Sequence, residues 1–148
     1  MNPNKKNRGL TLVETLLGVA VMVILFGLSA VFYQSFQIKN DLDITGNVIS
    51  QSLRRAQALS QASQEDATWG IYIETGRVTL FKGVSYIARD TDNDEFFDIP
   101  LSIKLSGLSE VVFDKLTGYP QATGVISLAT PINDTMDITI NQRGMISY

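Results

Sequence analysis

Arg8-Gly9-Leu10-Thr11-Leu12-Val13-Glu14 is the segment from which the reading of this chain starts. Upstream of Gly9, Met1 to Arg8 carries Lys5, Lys6 and Arg8 and no acid. Downstream, the chain is almost wholly apolar to Tyr33, with one carboxylate, Glu14, five residues past Gly9. A secretory signal peptide places its small-residue cleavage site after the apolar core. Here the small residue at the charge-to-apolar border comes before it. A plain signal anchor has no use for an acid in its apolar segment, where a carboxylate costs about 2.5–3.5 kcal/mol on insertion scales.

Leu10 to Phe36 reads as a membrane helix, since a hydrocarbon core needs about 20 apolar residues. Three cations precede it and none follows until Lys39, which puts the N-terminus in the cytoplasm and the remainder outside. Gly18 and Gly27 fit either tolerated small residues or points of close helix approach. From Gln37 to about Ser63 there is no proline, and Ile38, Leu42, Ile49, Leu53, Ala56, Leu59 and Ala62 recur at helical spacing. An amphipathic helix therefore continues the apolar one, with Gly46 as a weak point where it bends. At 1.5 Å per residue, Leu10 to Ser63 spans about 80 Å.

From Thr68 the periodicity becomes that of strands. Thr68 to Glu74 and Arg77 to Lys82 are rich in β-branched and aromatic residues, with Thr75-Gly76 as the turn between them. Ser85 to Arg89 is expected to extend the meander, and Asp90 to Asp98 to form an acidic loop. Further strands are expected at Leu101–Ser106, Glu110–Asp114, Gly124–Ala129 and Met136–Asn141, with a short last one at Met145–Tyr148. One long helix followed by strands defines an α+β fold, the helix packed on an antiparallel sheet or on two small sheets. The expected divisions are 1–9 leader, 10–36 apolar helix, 37–65 amphipathic helix and 66–148 β-rich head.

Composition narrows the function. The chain has 148 residues and a formal charge of −3, and loss of the three leader cations takes the side chains to −6. Roughly 100 residues outside the apolar segment suffice for a small core. The acidic balance disfavours non-specific nucleic-acid binding. There is no Cys and no His, which removes disulfides, thiolates, the commonest general base and the commonest metal ligand. Nothing marks a catalytic carboxylate pair or Ser-Lys arrangement, so the chain is not expected to be an enzyme.

The basic leader, Gly9, four residues, Glu14 and an apolar helix together resemble the N-terminus of the type IV prepilins and pseudopilins. The resemblance implies cleavage by a prepilin peptidase between Gly9 and Leu10, N-methylation of Leu10, and assembly through Glu14. In that family the glutamate pairs with the free α-amino group of a neighbouring subunit. The chain departs from the pattern in having Leu10 as first mature residue and in lacking a helix-interior proline. Trp69-Gly70 with a hairpin, Val111-Val112-Phe113 with Thr117-Gly118, and Ile138 to Asn141 with Gly144 are similar to the minor pseudopilin and FimT-like group, in which two packed sheets sit on the helix. The implied partners are the peptidase, other pilin or pseudopilin subunits, an inner-membrane assembly platform and membrane lipid. Two alternatives stay open, a major pilin and a single-pass signal-anchor binding protein with no filament role.

Other residues divide between plain and sharper readings. Thr11 bonds a helix carbonyl or lies near the interface. Asp90, Asp92, Asp94 and Asp98 alternate like the front half of a calcium loop, but Glu95 stands where that loop needs glycine and Leu101 where it needs glutamate. Trp69, Tyr72, Phe81, Tyr86 and Phe113 are expected as core between sheet and helix. Arg54-Arg55 is either a solvated face or a subunit contact. Arg143 stands alone among Asp134 and Asp137, too few cations for a nucleic-acid surface.

Overall fold

The computed structural model describes residues 11–148, apart from the side chains of 28–35. The first element is α1 (Leu12–Gln61), followed by a single 3-10 turn, Gln64–Asp66. Eight strands complete the chain: β1 (Trp69–Glu74), β2 (Arg77–Lys82), β3 (Asp90–Asp98), β4 (Lys104–Gly107), β5 (Glu110–Phe113), β6 (Gly124–Ala129), β7 (Thr135–Ile140) and β8 (Ile146–Ser147). The fold is α+β, with two four-stranded antiparallel sheets in the orders β3-β2-β1-β5 and β4-β6-β7-β8. Two compact units are distinct, one ending at Phe36 and one running Gln37–Tyr148.

In the first unit, the large apolar residues from Leu12 to Phe26 are exposed on every face of α1. Among the described residues, no helix is long and apolar enough to cross a membrane. The expected span of Leu10 to Phe36 includes Leu10 and the side chains of 28–35, which lie outside the described residues.

In the second unit, α1 turns Leu42, Ile49, Leu53 and Ala56 into one core with Ile71, Ile73, Val78, Leu80 and Phe113 of the first sheet and Ile126, Leu128, Ile138 and Ile140 of the second. The helical spacing read from the sequence thus selects the buried face. Gly46 does not end or divide α1. It is buried, and Met136 of β7 occupies the space that a Cβ would need, so the missing side chain serves close approach to the second sheet. At Gly107, which has φ +88°, the Val125 carbonyl fills the Cβ position as the chain leaves β4 for β5.

The end of α1 is latched to both neighbours. The Trp69 amide donates to Ser60 Oγ at 2.9 Å, and the Leu116 amide donates to the Ser60 carbonyl at 2.9 Å. Ser63, Glu65 and Asp66 follow with φ of 50°, 55° and 57°. Left-handed backbone costs about 1–2 kcal/mol at such residues. Side-chain contacts over-determine it: the Trp69 indole N–H donates to the Gln64 carbonyl at 3.1 Å, Lys82 pairs with Glu65 at 2.6 Å, and Lys115 pairs with Asp66.

Several expected boundaries move. Ser85–Arg89 is not a strand but part of a strap of bends and turns between β2 and β3. The expected Leu101–Ser106 strand begins only at Lys104, because Pro100 to Ser102 make a turn in which the Ile103 amide donates to the Pro100 carbonyl at 3.3 Å. Tyr72, Phe81 and Tyr86 do not lie between sheet and helix. Alternation along β1 and β2 sends Trp69, Ile71, Val78 and Leu80 inward and Tyr72 and Phe81 to the opposite face. There the strap covers them. Tyr86 stacks on Tyr72 with centroids 3.9 Å apart and meets the Phe81 ring edge-on at 5.7 Å.

Candidate functional site

Gly9 and Leu10, the expected cleavage and methylation positions, lie outside the described residues. The structure places Glu14 in the first turn of α1, exposed and with no ion-pair partner among the described residues. Its amide donates to Thr11 Oγ1 at 3.3 Å. Thr11 therefore accepts a bond as the N-terminal cap instead of donating to a helix carbonyl. The carbonyl bond is made by Thr15, whose hydroxyl donates to the Leu12 carbonyl at 2.9 Å. Thr11-Leu12-Val13-Glu14 has the Thr-x-x-Glu spacing of a capping box, in which the cap satisfies an orphan amide and the acid favours the positive end of the helix dipole. The helix thus begins two residues beyond the Gly9–Leu10 bond, with a carboxylate in its first turn ringed by exposed apolar side chains.

The acidic segment is not a loop. Asp90–Asp98 is β3, the edge strand of the first sheet, paired with β2 from Arg77↔Asp98 to Lys82↔Asp90. Extended backbone advances about 3.3 Å per residue, so alternate carboxylates stand about 6.6 Å apart and do not converge on one ion. Three of the four take different cations. Asp90 pairs with Lys82 at 3.3 Å, Asp94 with Arg89 at 2.8 Å and Asp98 with Arg77 at 3.7 Å, while Asp92 keeps its side chain in solvent. Among the described residues, no group of three or more acidic side chains is arranged to hold a metal ion. The calcium arrangement weighed for Asp90, Asp92, Asp94 and Asp98 is therefore not formed among the described residues. The alternation seen in the sequence is that of a charged edge strand, which discourages edge-to-edge pairing.

Hydrogen bonds and charge on this edge shift the ionisation of its groups. The hydrogen bond from Lys82, helped by that from Asn93, holds the Asp90 carboxyl below its ordinary value. The Glu65 hydrogen bond raises Lys82. The Asp94 hydrogen bond raises Arg89, whose guanidinium also lies 3.8 Å from the centre of the Tyr86 ring. Tyr86 is thus held between Tyr72 and Arg89, and its amide donates to Glu110 at 2.8 Å.

A feature that sequence reading missed lies where α1 meets the turn before β8. Arg54, Gln57, Arg143, Gly144, Met145 and Ile146 line an open cleft of ≈ 260 Å³. The Gln57 amide donates to the Gly118 carbonyl at 3.0 Å, tying the helix to the β5–β6 connection. The Arg143 and Met145 amides both donate to Asn141 Oδ1 at 2.9 Å, which fixes the turn. Arg55, next to Arg54, is consumed by Glu95 at 2.6 Å, but neither Arg54 nor Arg143 has an acidic partner among the described residues. No periodicity joins positions 54 and 143, so only folding brings the two residues to one cleft.

Compared with known proteins, the chain matches no family model, no curated protein and no solved structure.

Proposed function

We propose that the protein is a structural subunit, a minor pilin or pseudopilin, that assembles through its N-terminal helix into a filament of the type IV pilus or type II secretion class. The observation that carries this reading is the division of α1. From Leu12 to Phe26 it exposes apolar side chains on every face, and its second half buries one stripe in an α+β head. A helix apolar all round has no stable place in water; it belongs in lipid or among other apolar helices. Fully burying a Leu, Ile or Phe side chain is worth about 1.5–3 kcal/mol, so the first half carries a strong drive toward such surroundings.

The basic leader and Gly9 supply the rest of the reading. Insertion with the N-terminus inside would bring the Gly9–Leu10 bond to a prepilin peptidase at the cytoplasmic face. Cleavage creates an α-amino group on Leu10, four residues from Glu14. In the apolar interior of an assembly, that amine on one subunit neutralises the Glu14 carboxylate of the next. The two small sheets on the helix favour a minor pilin or pseudopilin over a major pilin.

Intact mass tests the reading. The full chain expressed in membranes with a prepilin peptidase is expected to lose Met1 to Gly9 and to gain one methyl on Leu10. An uncut chain, with the peptidase active on a control substrate, would overturn it. The capping geometry favours one competitor, a signal-anchored binding protein in which Glu14 serves only its own helix. That reading expects Glu14→Gln to leave every association unchanged. The filament reading expects the same variant to be processed and yet to fail to join the assembly.

A further inference from the structure

We infer that Asn133, at the tip of the hairpin between β6 and β7, is an acceptor for an N-linked glycan supplied by a lipid-linked oligosaccharide pyrophosphate. Asn133-Asp134-Thr135 is an Asn-x-Thr triplet whose middle residue is not proline. No other asparagine of the sequence has serine or threonine two positions on. Three residues are a weak mark by themselves, and it is their placement in the fold that singles them out.

Ala129 at the end of β6 pairs with Thr135 at the start of β7, and the turn between them closes without the Asn133 side chain. The Thr130 amide donates to the Asp134 carbonyl at 2.9 Å, and the Asn133 amide donates to the Thr130 carbonyl at 3.1 Å. The Asp134 amide donates to the hydroxyl of the buried Thr130 at 3.0 Å. Asn133 takes φ 65°, a left-handed conformation that asparagine adopts more readily than most residues. Asn133 and Thr135 are both exposed, and neither side chain has a hydrogen bond among the described residues. By contrast, Asn93 donates to Asp90 at 2.9 Å, Asn141 Oδ1 accepts two backbone amides, and Asn47 Oδ1 accepts from the Tyr148 hydroxyl at 3.4 Å. A group attached to Asn133 Nδ2 therefore breaks no bond of the fold and enters solvent.

The step is a group transfer. Nδ2 of Asn133 forms a bond to C1 of the first sugar as the C1–O bond to the lipid pyrophosphate breaks. The pyrophosphate leaves with that electron pair, and one amide proton is released. A transferase of this kind also engages the hydroxyl two positions on, so a free Thr135 matters as much as a free Asn133. Donor and transferase act on the outer side of the membrane. The site thus rests on one part of the proposed function, export of the head, and goes beyond the rest. A bulky, polar glycan here would also shade Pro131 and Ile132, both exposed at the same tip.

Peptide mass spectrometry of the full chain, recovered from the membranes of the cells that make it, tests the site. Lys115 and Arg143 are consecutive tryptic positions, so one peptide, residues 116–143, carries the whole triplet. It is expected to be heavier than its sequence by a chain of sugar residues, with electron-transfer fragmentation placing the added mass on Asn133. Asn133→Gln and Thr135→Val should each abolish the added mass, and Thr135→Ser should retain it. Urea midpoints equal to that of the parent show that these variants lose the acceptor and not the fold. A bare peptide in the parent overturns the inference. Sugar on a serine or threonine instead, or added mass that survives Asn133→Gln, overturns it as well. The N-terminal peptide of the same digest separates this failure from that of the function. A chain cut after Gly9 with a bare 116–143 peptide retains the filament reading alone. An uncut chain that carries the glycan retains the site and removes the filament reading.

Discussion

Ser60 shows how much one small residue carries. Its side chain is fully buried, its Oγ accepts from the Trp69 amide, and its carbonyl accepts from the Leu116 amide. Ser60→Ala removes the acceptor and leaves a buried amide unpaired, which costs about 1–3 kcal/mol. The expected outcome is a lower urea midpoint with unchanged slope; a midpoint equal to that of the parent would show that water replaces the hydroxyl. Nothing in the sequence singles out Ser60 from the other serines of α1, because its role depends on where β1 returns. Thr11 was closer to legible, since Thr-x-x-Glu ahead of an apolar run is a capping signature. The apolar run that follows carries the stronger signal, that of a bilayer segment, and obscures the cap. Thr11→Ala is expected to fray the first turn, at a cost of about 1 kcal/mol, read as faster amide exchange from Leu12 to Thr15.

At the level of elements, β3 and its strap are where local pattern and tertiary context part. Nine residues with Asp90, Asp92, Asp94, Glu95 and Asp98 have low strand propensity. They form a strand because β2 offers an open edge and Arg77, Lys82, Arg89 and Arg55 each neutralise one of them. The Asp94 side chain is 3% exposed, so Arg89→Ala strands a buried carboxylate and frees Tyr86 from its stack. Removing one partner leaves the other without its charge partner, which is destabilising. The strap should then lose amide protection before the sheets do, and equal protection throughout would show that Tyr86 alone holds it.

The same ion pairs set a pH window. Asp90 and Asp66 are held below the ordinary carboxylate value of 3.8, by hydrogen bonds from Lys82 and Lys115 respectively. Their contribution is present above that value and is lost as pH falls through the lowered folded values. Lys82 is raised above 10.5, chiefly by the Glu65 hydrogen bond, so its contribution is present below 10.5 and is lost as pH rises through the folded value. Urea midpoints taken across pH should show a plateau with falling acid and alkaline limbs. Lys82→Met should flatten part of both limbs, and unchanged limbs would assign the pH dependence to other groups. Salt should weaken the effect, because the Asp66 and Asp90 carboxylates are exposed. Gly107 belongs to the same scale. Gly107→Ala puts a Cβ against the Val125 carbonyl at φ +88°, and about 2 kcal/mol or more should be lost where the chain crosses between sheets.

For the whole molecule, the decisive features of the sequence are periodicities and borders. The charge-to-apolar border at Gly9, the helical spacing from Leu42 to Ala56 and the β-branched runs after Thr68 depend on neighbours within a few residues. They dictated one long helix followed by an antiparallel β region, and they carry the proposed filament role. Local sequence could not decide which strands share a sheet, that β3 is an edge instead of a loop, or that Tyr72 and Phe81 face away from α1. Those outcomes depend on pairing partners tens of residues distant and on which face of each strand the core claims. The cleft of Arg54 and Arg143 is the extreme case. Two cations 89 positions apart come to line one cleft only when α1 and the turn before β8 pack together, because the core that is buried between helix and sheets sets their places and nothing in either segment alone does.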